Sequence, residues 1–536
     1  MEKRALIAIS LSVLVLILYQ YFYVRPQMKN MPHPREVQTN TPKNPAATTT
    51  PATTPAQNTQ TQTQQKTTSV APTPVTSDKE KLIRVESKLY VAVLSSKGGV
   101  VKSFTLKDYK ENNDNAISLY KADTIVPSMT IGTKDQTSSA SSINPITLLS
   151  FDFATEASDS ILSQTEKKQL VFEFAKDGKR IIRTYTFYGD NYKIDLKDEV
   201  SGLSPYYITL GSDFYDDSAV SYGAHVGPVI LQDMDRIEVK TDKKLDAAFP
   251  YTGNIKWIAS ENKYFVGAIV PLTKAAESLI WKKDDKILVG LKNTEPVTEY
   301  LIYMGPKKYD TLKSLNVSLE HVVDFGFFSF IARPLFWALL FINSFMGNYG
   351  WSIILLTLVI RVPFIPLISK GQRSMKKLQK VQPLMNEIRE RHKKDPQRMQ
   401  REIMELYKKH KVNPMGGCLP IVIQIPVFFA LYKVLLVAIE LRSAPFMFWV
   451  RDLSSKDPYY ILPIIMGITM LIQQKMTPTS MDPTQNKVMM FMPIIFTFMF
   501  LSFPSGLVLY WLISNVLSIV QQFYINKTPD AAIAAN

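Results

Sequence analysis

Arg361 is the residue of this 536-residue chain best placed to do chemistry. It sits in Leu355-Leu356-Thr357-Leu358-Val359-Ile360-Arg361-Val362-Pro363, part of an apolar run long enough to cross a bilayer. At 1.5 Å per residue it lies about 12 Å inside the cytoplasmic end of that run. Arginine at the centre of a span costs about 2.5–3.5 kcal/mol on insertion scales, so its guanidinium is expected to face a wet or protein-lined interior. Thr357 stands one turn away on the same face, and Pro363 and Pro366 free backbone carbonyls toward that interior. Other apolar runs add polar groups: Gln424 between Pro420 and Pro426, Gln473 and Gln474 at the end of the next, and Trp511, Ser514 and Asn515 on one face of the last. Singly, each reads as glue between helices. Together with Arg361 they make a hydrophilic groove. No acidic residue lies in the core of any span, so the cation lacks an internal counter-ion and invites an acidic or polar visitor.

Enzymatic chemistry finds little support. Pro504-Ser505-Gly506 lacks the first glycine of a nucleophile elbow, and no histidine lies in any span to act as base. His392 and His410 have no carboxylates at metal-ligand spacing, while His225 and His321 are isolated. Cys418 is the one cysteine, which excludes a disulfide framework or a cysteine zinc cluster. The expectation is a protein that is not an enzyme and holds no cofactor and no metal. Lys433, in the third span, has no serine partner and is expected to snorkel outward. Of the fourteen methionines between 370 and 500, most read as core or lipid-facing residues, although thioethers also suit a surface that accepts many apolar shapes.

The elements that position these groups follow from charge and hydropathy. The net charge is +15, but 370–412 alone carries +9, from fourteen Lys/Arg against five Asp/Glu, whereas 78–325 carries −3. A basic block between apolar runs marks a cytoplasmic loop and argues against a nucleic-acid-binding domain with a diffuse basic face. Residues 1–25 form an N-terminal anchor: the apolar run ends in Tyr19-Gln20-Tyr21-Phe22-Tyr23, an aromatic belt rather than a small-residue cleavage site. Residues 26–77, rich in Thr, Pro and Gln, form a disordered tether. Short alternating runs across 78–324, with Asp177-Gly178 as a hairpin turn, predict a large antiparallel β-sandwich.

Beyond this, 325–346 carries Arg333-Pro334 in its middle and is read as an amphipathic helix in the outer interface. Counting it as a span would place the +9 segment outside, against the positive-inside bias. Spans near 350–369, 418–440, 459–474, 488–503 and 506–524 then form a core over 347–525, followed by a cytoplasmic tail, 526–536. The fold class is thus an α-helical polytopic membrane core of six spans, five in the bundle, plus an extracytoplasmic β-sandwich. Both termini lie in the cytoplasm. Within 370–412, Leu378, Val381, Leu384, Met385 and Ile388, then Met399, Ile403, Leu406 and Tyr407 beyond Asp395-Pro396, predict a helical hairpin with an apolar seam and basic outer faces. Those faces suit ribosomal RNA or anionic lipid.

Three blocks carry a family resemblance: Asn348-Tyr349-Gly350-Trp351-Ser352-Ile353 with Thr357 and Arg361, Met415-Gly416-Gly417-Cys418-Leu419-Pro420 with Gln424-Ile425-Pro426, and Phe503-Pro504-Ser505-Gly506-Leu507-Val508-Leu509-Tyr510-Trp511. With the anchor and β-domain ahead of them, they resemble the YidC family of bacterial membrane protein insertases. Lys433 departs from the apolar or aromatic residue expected there. The resemblance implies a protein of the inner membrane of a Gram-negative cell, with its β-domain in the periplasm. It takes hydrophilic segments of nascent membrane proteins into a groove and releases their apolar helices into the lipid bilayer, alone or with the Sec translocon. Arg361 would be the groove cation and Thr357, Gln424 and Trp511 groove contacts, beside the Ser514 already noted, with Phe428 and Met499 on a hydrophobic exit path. Arg389, Arg391, Lys393 and Lys394 of the hairpin would meet the ribosome and the signal-recognition-particle receptor, and the protein would act as a monomer. The competing readings are a secondary transporter clamping substrate with Arg361, which the lack of internal repeats disfavours, and an envelope assembly scaffold.

Overall fold

The computed structural model describes residues 80–111, 114–135, 144–215, 224–239, 247–410, 412, 419–476 and 483–527. The expected anchor 1–25, the tether 26–77, the Met415–Cys418 part of the second sequence block and residues 528–536 of the tail lie outside them.

Eighteen strands between Leu82 and Pro306 form a five-stranded and a thirteen-stranded sheet among the described residues. Pairing is antiparallel except where the two-residue strand Ser160–Ile161 runs alongside Leu82–Glu86. The longest ladder joins Lys167–Lys176 to Lys179–Tyr188 through Asp177-Gly178, at φ of 52° and 72°. Both turn residues occupy the left-handed region that a tight hairpin turn requires, which is why Asp-Gly stands there. Strand Lys193–Ser201 alternates strictly, with Ile194, Leu196, Asp198 and Val200 buried and their neighbours half-buried or exposed.

The two sheets share one core. Tyr90 of the smaller sheet stacks on Phe104 at 4.8 Å and meets Phe187 of the larger sheet at 6.4 Å. Its hydroxyl donates to the Tyr188 carbonyl (2.8 Å), while Tyr185 donates back across the interface to Gly99 O (2.7 Å). Each such buried aromatic contributes about 1.5–3 kcal/mol, and its hydroxyl is kept from becoming an orphan. One inward pair is ionic: Arg183 and Asp198 face each other across the ladder between Lys179–Tyr188 and Lys193–Ser201, both with no exposed side-chain surface.

Among the described residues eight α-helices follow: α1 (Tyr309–Ser314), α2 (Ser329–Met346), α3 (Tyr349–Arg391), α4 (Pro396–Lys409), α5 (Leu419–Val437), α6 (Ile461–Met476), α7 (Pro483–Phe500) and α8 (Ser505–Lys527). Gly347, at φ 65°, ends α2, and Asn348 starts α3 by accepting from the backbone N–H of Gly350 (2.9 Å) and Trp351 (3.2 Å). Asp395 caps α4, accepting from Arg398 N at 3.1 Å, with Pro396 in the first turn as the sequence predicts. Among the described residues, α2, α3 and α8 are the helices long and apolar enough to cross a membrane by length and composition. The apolar stretches Gln424–Val437, Ile461–Met476 and Met490–Phe500 are shorter.

Two local expectations change. Leu384, placed on the hairpin seam, is exposed, because the seam is made by Leu378, Val381, Met385 and Val412, against which Met375, Leu406 and Tyr407 pack. Nor does Lys433 simply snorkel outward. Its ammonium reaches Asp324 at 3.3 Å, and its stem lies against Gly326, just ahead of α2. On the outer side, Arg442 donates to Lys110 O (2.7 Å) and lies over the rings of Tyr264 and Phe265, tying the loop after α5 to the β-domain.

Candidate functional site

The site is built where α3, α5 and α8 meet. Arg361 Nη1 donates to Gln424 Oε1 (3.4 Å) and Ser514 Oγ (3.3 Å), and Nη2 donates to Ser518 Oγ. Gln424 Nε2 donates in turn to Ser514 Oγ at 2.8 Å. Every recorded partner of the guanidinium is a neutral side chain, and its buried Nε–H has no acceptor. Among the described residues Arg361 makes no ion pair. Thr357, Ile360, Phe364, Leu367, Ile368, Val427 and Tyr510 complete the wall of a cavity of about 30 Å³. That is room for water but not for a peptide segment.

Helix α8 supplies most of the polar order. Ser514 and Ser518, four residues apart, present two hydroxyls on one face to Arg361. Ser518 satisfies its own hydroxyl proton on Ser514 O (2.9 Å). One turn further, Gln521 donates to Ile365 O (3.1 Å) and Ser369 Oγ (2.9 Å) of α3. The adjoining face turns to α6, where Asn515 meets Thr469 Oγ1 (3.2 Å) and Gln522 meets Met476 O (3.1 Å). Gly467 lets α6 approach α7, since a Cβ there would stand 2.1 Å from Thr497 Oγ1.

The residues singled out from sequence divide accordingly. Arg361, Gln424, Ser514 and Thr357 come together at the cavity. The Thr357 hydroxyl is spent on Ile353 O at 2.6 Å, so only its oxygen remains for a visitor. Trp511 lies elsewhere, in an aromatic cluster with Phe428 (4.8 Å, edge-on), Phe500 (5.2 Å) and Phe496 (6.1 Å). Met499 is exposed on α7, and Asn515 serves the α6 contact. Ser518 and Tyr510 were missed. Ser518 carries a readable signal, being four residues after Ser514 on the same helical face.

The hairpin stands apart from this site. Arg391 and Glu387 pair in the open at 2.9 Å, Lys393 and Glu390 at 4.0 Å, and His392 reaches Glu402 of α4 at 3.0 Å. Arg389 is half-buried, whereas Lys393 and Lys394 are exposed. No group of three or more His, Cys, Asp or Glu suited to a metal ion occurs among the described residues.

Residues 341–532 match the family described as 60Kd inner membrane protein, and residues 82–338 match the YidC periplasmic domain. A protein of Syntrophus aciditrophicus named Membrane protein insertase YidC is 43% identical over 98% of this chain and 100% of its own length. One of the same name from Geotalea daltonii is 39% identical over 99% of this chain and 100% of its own. Among solved structures, an active YidC insertase with its first transmembrane domain resolved is 19% identical, with a TM-score of 0.38, over 84% of this chain and 93% of that one.

Proposed function

Because the chain belongs to the YidC family of membrane protein insertases, we propose that it works by drawing hydrophilic segments of nascent membrane proteins into the Arg361 cavity and releasing their apolar helices into lipid. Insertion of membrane proteins into the inner membrane is its activity, it is not an enzyme, and its β-rich domain is periplasmic. The observation that carries the groove reading is a guanidinium held inside an apolar helix by neutral partners alone. A cation with uncompensated charge and an unused Nε–H favours an acidic or carbonyl-rich visitor over lipid. Hydration of the cavity shortens the apolar distance that a polar segment must cross.

Trp511 and Phe428, paired outside the cavity wall, offer an apolar surface to the departing helix, as does exposed Met499 of α7. The hairpin, with Arg389, Arg391, Lys393 and Lys394, recruits ribosome and signal-recognition-particle receptor. Its contact with ribosomal RNA predicts ribosome binding that weakens with salt and with charge reversal of the hairpin. In this reading six spans, with both termini in the cytoplasm, carry a monomer that acts alone or beside the Sec translocon, and α2 lies in the outer interface. Photo-crosslinkers at 424 and 511, presented with ribosome-stalled nascent chains, test the path. Capture of a nascent membrane protein at both positions is expected, and capture at neither overturns the reading.

A further inference from the structure

The polar ties of α8 are unequal. To α3 and α6 it is bound through Ser514, Ser518, Gln521, Asn515 and Gln522 over about two and a half turns. To α5, one side chain provides all the hydrogen bonds recorded among the described residues: Gln424, whose carbonyl takes Arg361 and whose amide nitrogen gives to Ser514. The outer half of α5 is held differently, by Lys433 on Asp324 and by packing against α2, where Phe429 stacks on Phe328. Between the two attachments lies Pro426, which deletes one helical hydrogen bond and makes that turn the compliant point of α5. Gln424 thus lies across Pro426 from those attachments and lines a cavity too small for any peptide.

Resting on the insertase reading, we propose that Gln424 is a latch. It is a positioning residue that keeps the inner half of α5 closed on α3 and α8 until a nascent segment replaces its hydrogen bonds with Arg361, Ser514 and Tyr510. The chemistry suits a reversible catch. A neutral amide both accepts and donates, and its bond from Arg361, at 3.4 Å, is long. A carboxylate or main-chain carbonyl on the incoming segment outcompetes the amide oxygen for Arg361, while a main-chain N–H replaces its donor to Ser514.

The test reads cavity opening directly. In full-length protein with Cys418→Ser, a cysteine at buried Ile368, which lines the cavity, is labelled in inverted membrane vesicles with a membrane-impermeant maleimide. Gln424→Ala and Gln424→Asn are expected to raise the labelling rate about 2- to 10-fold, the worth of one ordinary hydrogen bond. Gln424→Glu keeps the shape but sets a carboxylate against the guanidinium, and labelling is expected to fall. Ser514→Ala, which removes one latch partner, raises it by less. Labelling that ignores Gln424, or that moves the same way with Ala and Glu, overturns the latch. A merely structural or substrate-contact role does not yield opposite signs. The groove reading fails separately, if Arg361→Ala leaves insertion of an acidic-tailed substrate intact while the opposite-sign labelling persists.

Discussion

Arg183 and Arg361, each drawn in from solvent, are held in opposite ways. Arg183, in the β-domain, is saturated: its Nε and Nη2 form a two-point pair with Asp198 (2.9 and 3.1 Å), and Nη1 donates to Met129 O (2.6 Å) and Gly99 O (3.1 Å). Arg361 has three neutral partners, two of them beyond 3.2 Å, and an idle Nε–H. A cation whose every donor is matched to a fixed acceptor holds a fold in register. One left with spare donors and spare charge holds a position open for something that arrives. The head-group partners, a carboxylate and fixed carbonyls in one case and neutral side chains in the other, set the two arginines apart.

The comparison breaks most readily at Arg183. Arg183→Met strands a buried carboxylate and is expected to cost about 3–5 kcal/mol, whereas removing both charges with Asp198→Leu recovers most of the loss. Thermal unfolding of the full chain in detergent checks this, with Tm falling by about 10 °C or more for the single variant. Arg361→Met is expected to reverse the balance. Unfolding shifts little or upward, because an unpaired charge leaves the apolar interior, yet insertion of an acidic-tailed substrate drops roughly 10- to 100-fold, the worth of a hydrogen bond to a charged group. An equal loss of stability at both arginines removes the distinction.

A smaller effect is expected at Asp324. Burial alone would raise its carboxyl, but the Lys433 ammonium, the Gly326 N–H and Arg236 together hold it below the usual carboxylate range. A lowered folded-state value means that its stabilisation is full above the unfolded carboxylate range and is lost as pH falls through the folded value. Asp324→Asn is therefore expected to lower Tm at pH 7, with the difference from the parent protein shrinking as pH falls below the usual carboxylate range, each read by a melting scan. The smallest effect belongs to the hairpin surface. Glu387→Gln, removing the exposed pair with Arg391, is expected to change stability by less than about 0.5 kcal/mol in the same scan.

Much of this was legible in the chain. The Asp177-Gly178 turn and the alternating runs mark the strands that form, because side-chain period and turn chemistry are local properties. Arg361, Gln424 and Ser514 announced themselves as polar residues in apolar runs, where any polar group needs a reason. What stayed hidden depends on register or distance. Arg183 and Asp198 become partners only once two strands are aligned, and Lys433 meets Asp324 from 109 positions away. Trp511 shares a helical face with Ser514 in projection, but its bulk is taken up by Phe428, Phe496 and Phe500 instead of the cavity. Pro363 and Pro366 read as loosening points after Arg361, yet α3 runs unbroken through both and on through Pro383, with packing along α8 outweighing the missing hydrogen bonds near the first two.

That unbroken helix has a mechanical consequence. From Arg361 to Arg391 there is no joint except those proline turns, so about 45 Å of continuous rod links the hairpin to the cavity. A torque on the hairpin about the helix axis is shared along that shaft, with the proline turns as its softest points. The guanidinium is mounted on that shaft while its neutral partners ride on α5 and α8. Rotation of the hairpin about the α3 axis would therefore turn the Arg361 guanidinium against those partners, as a key turns the bolt at the far end of its shank.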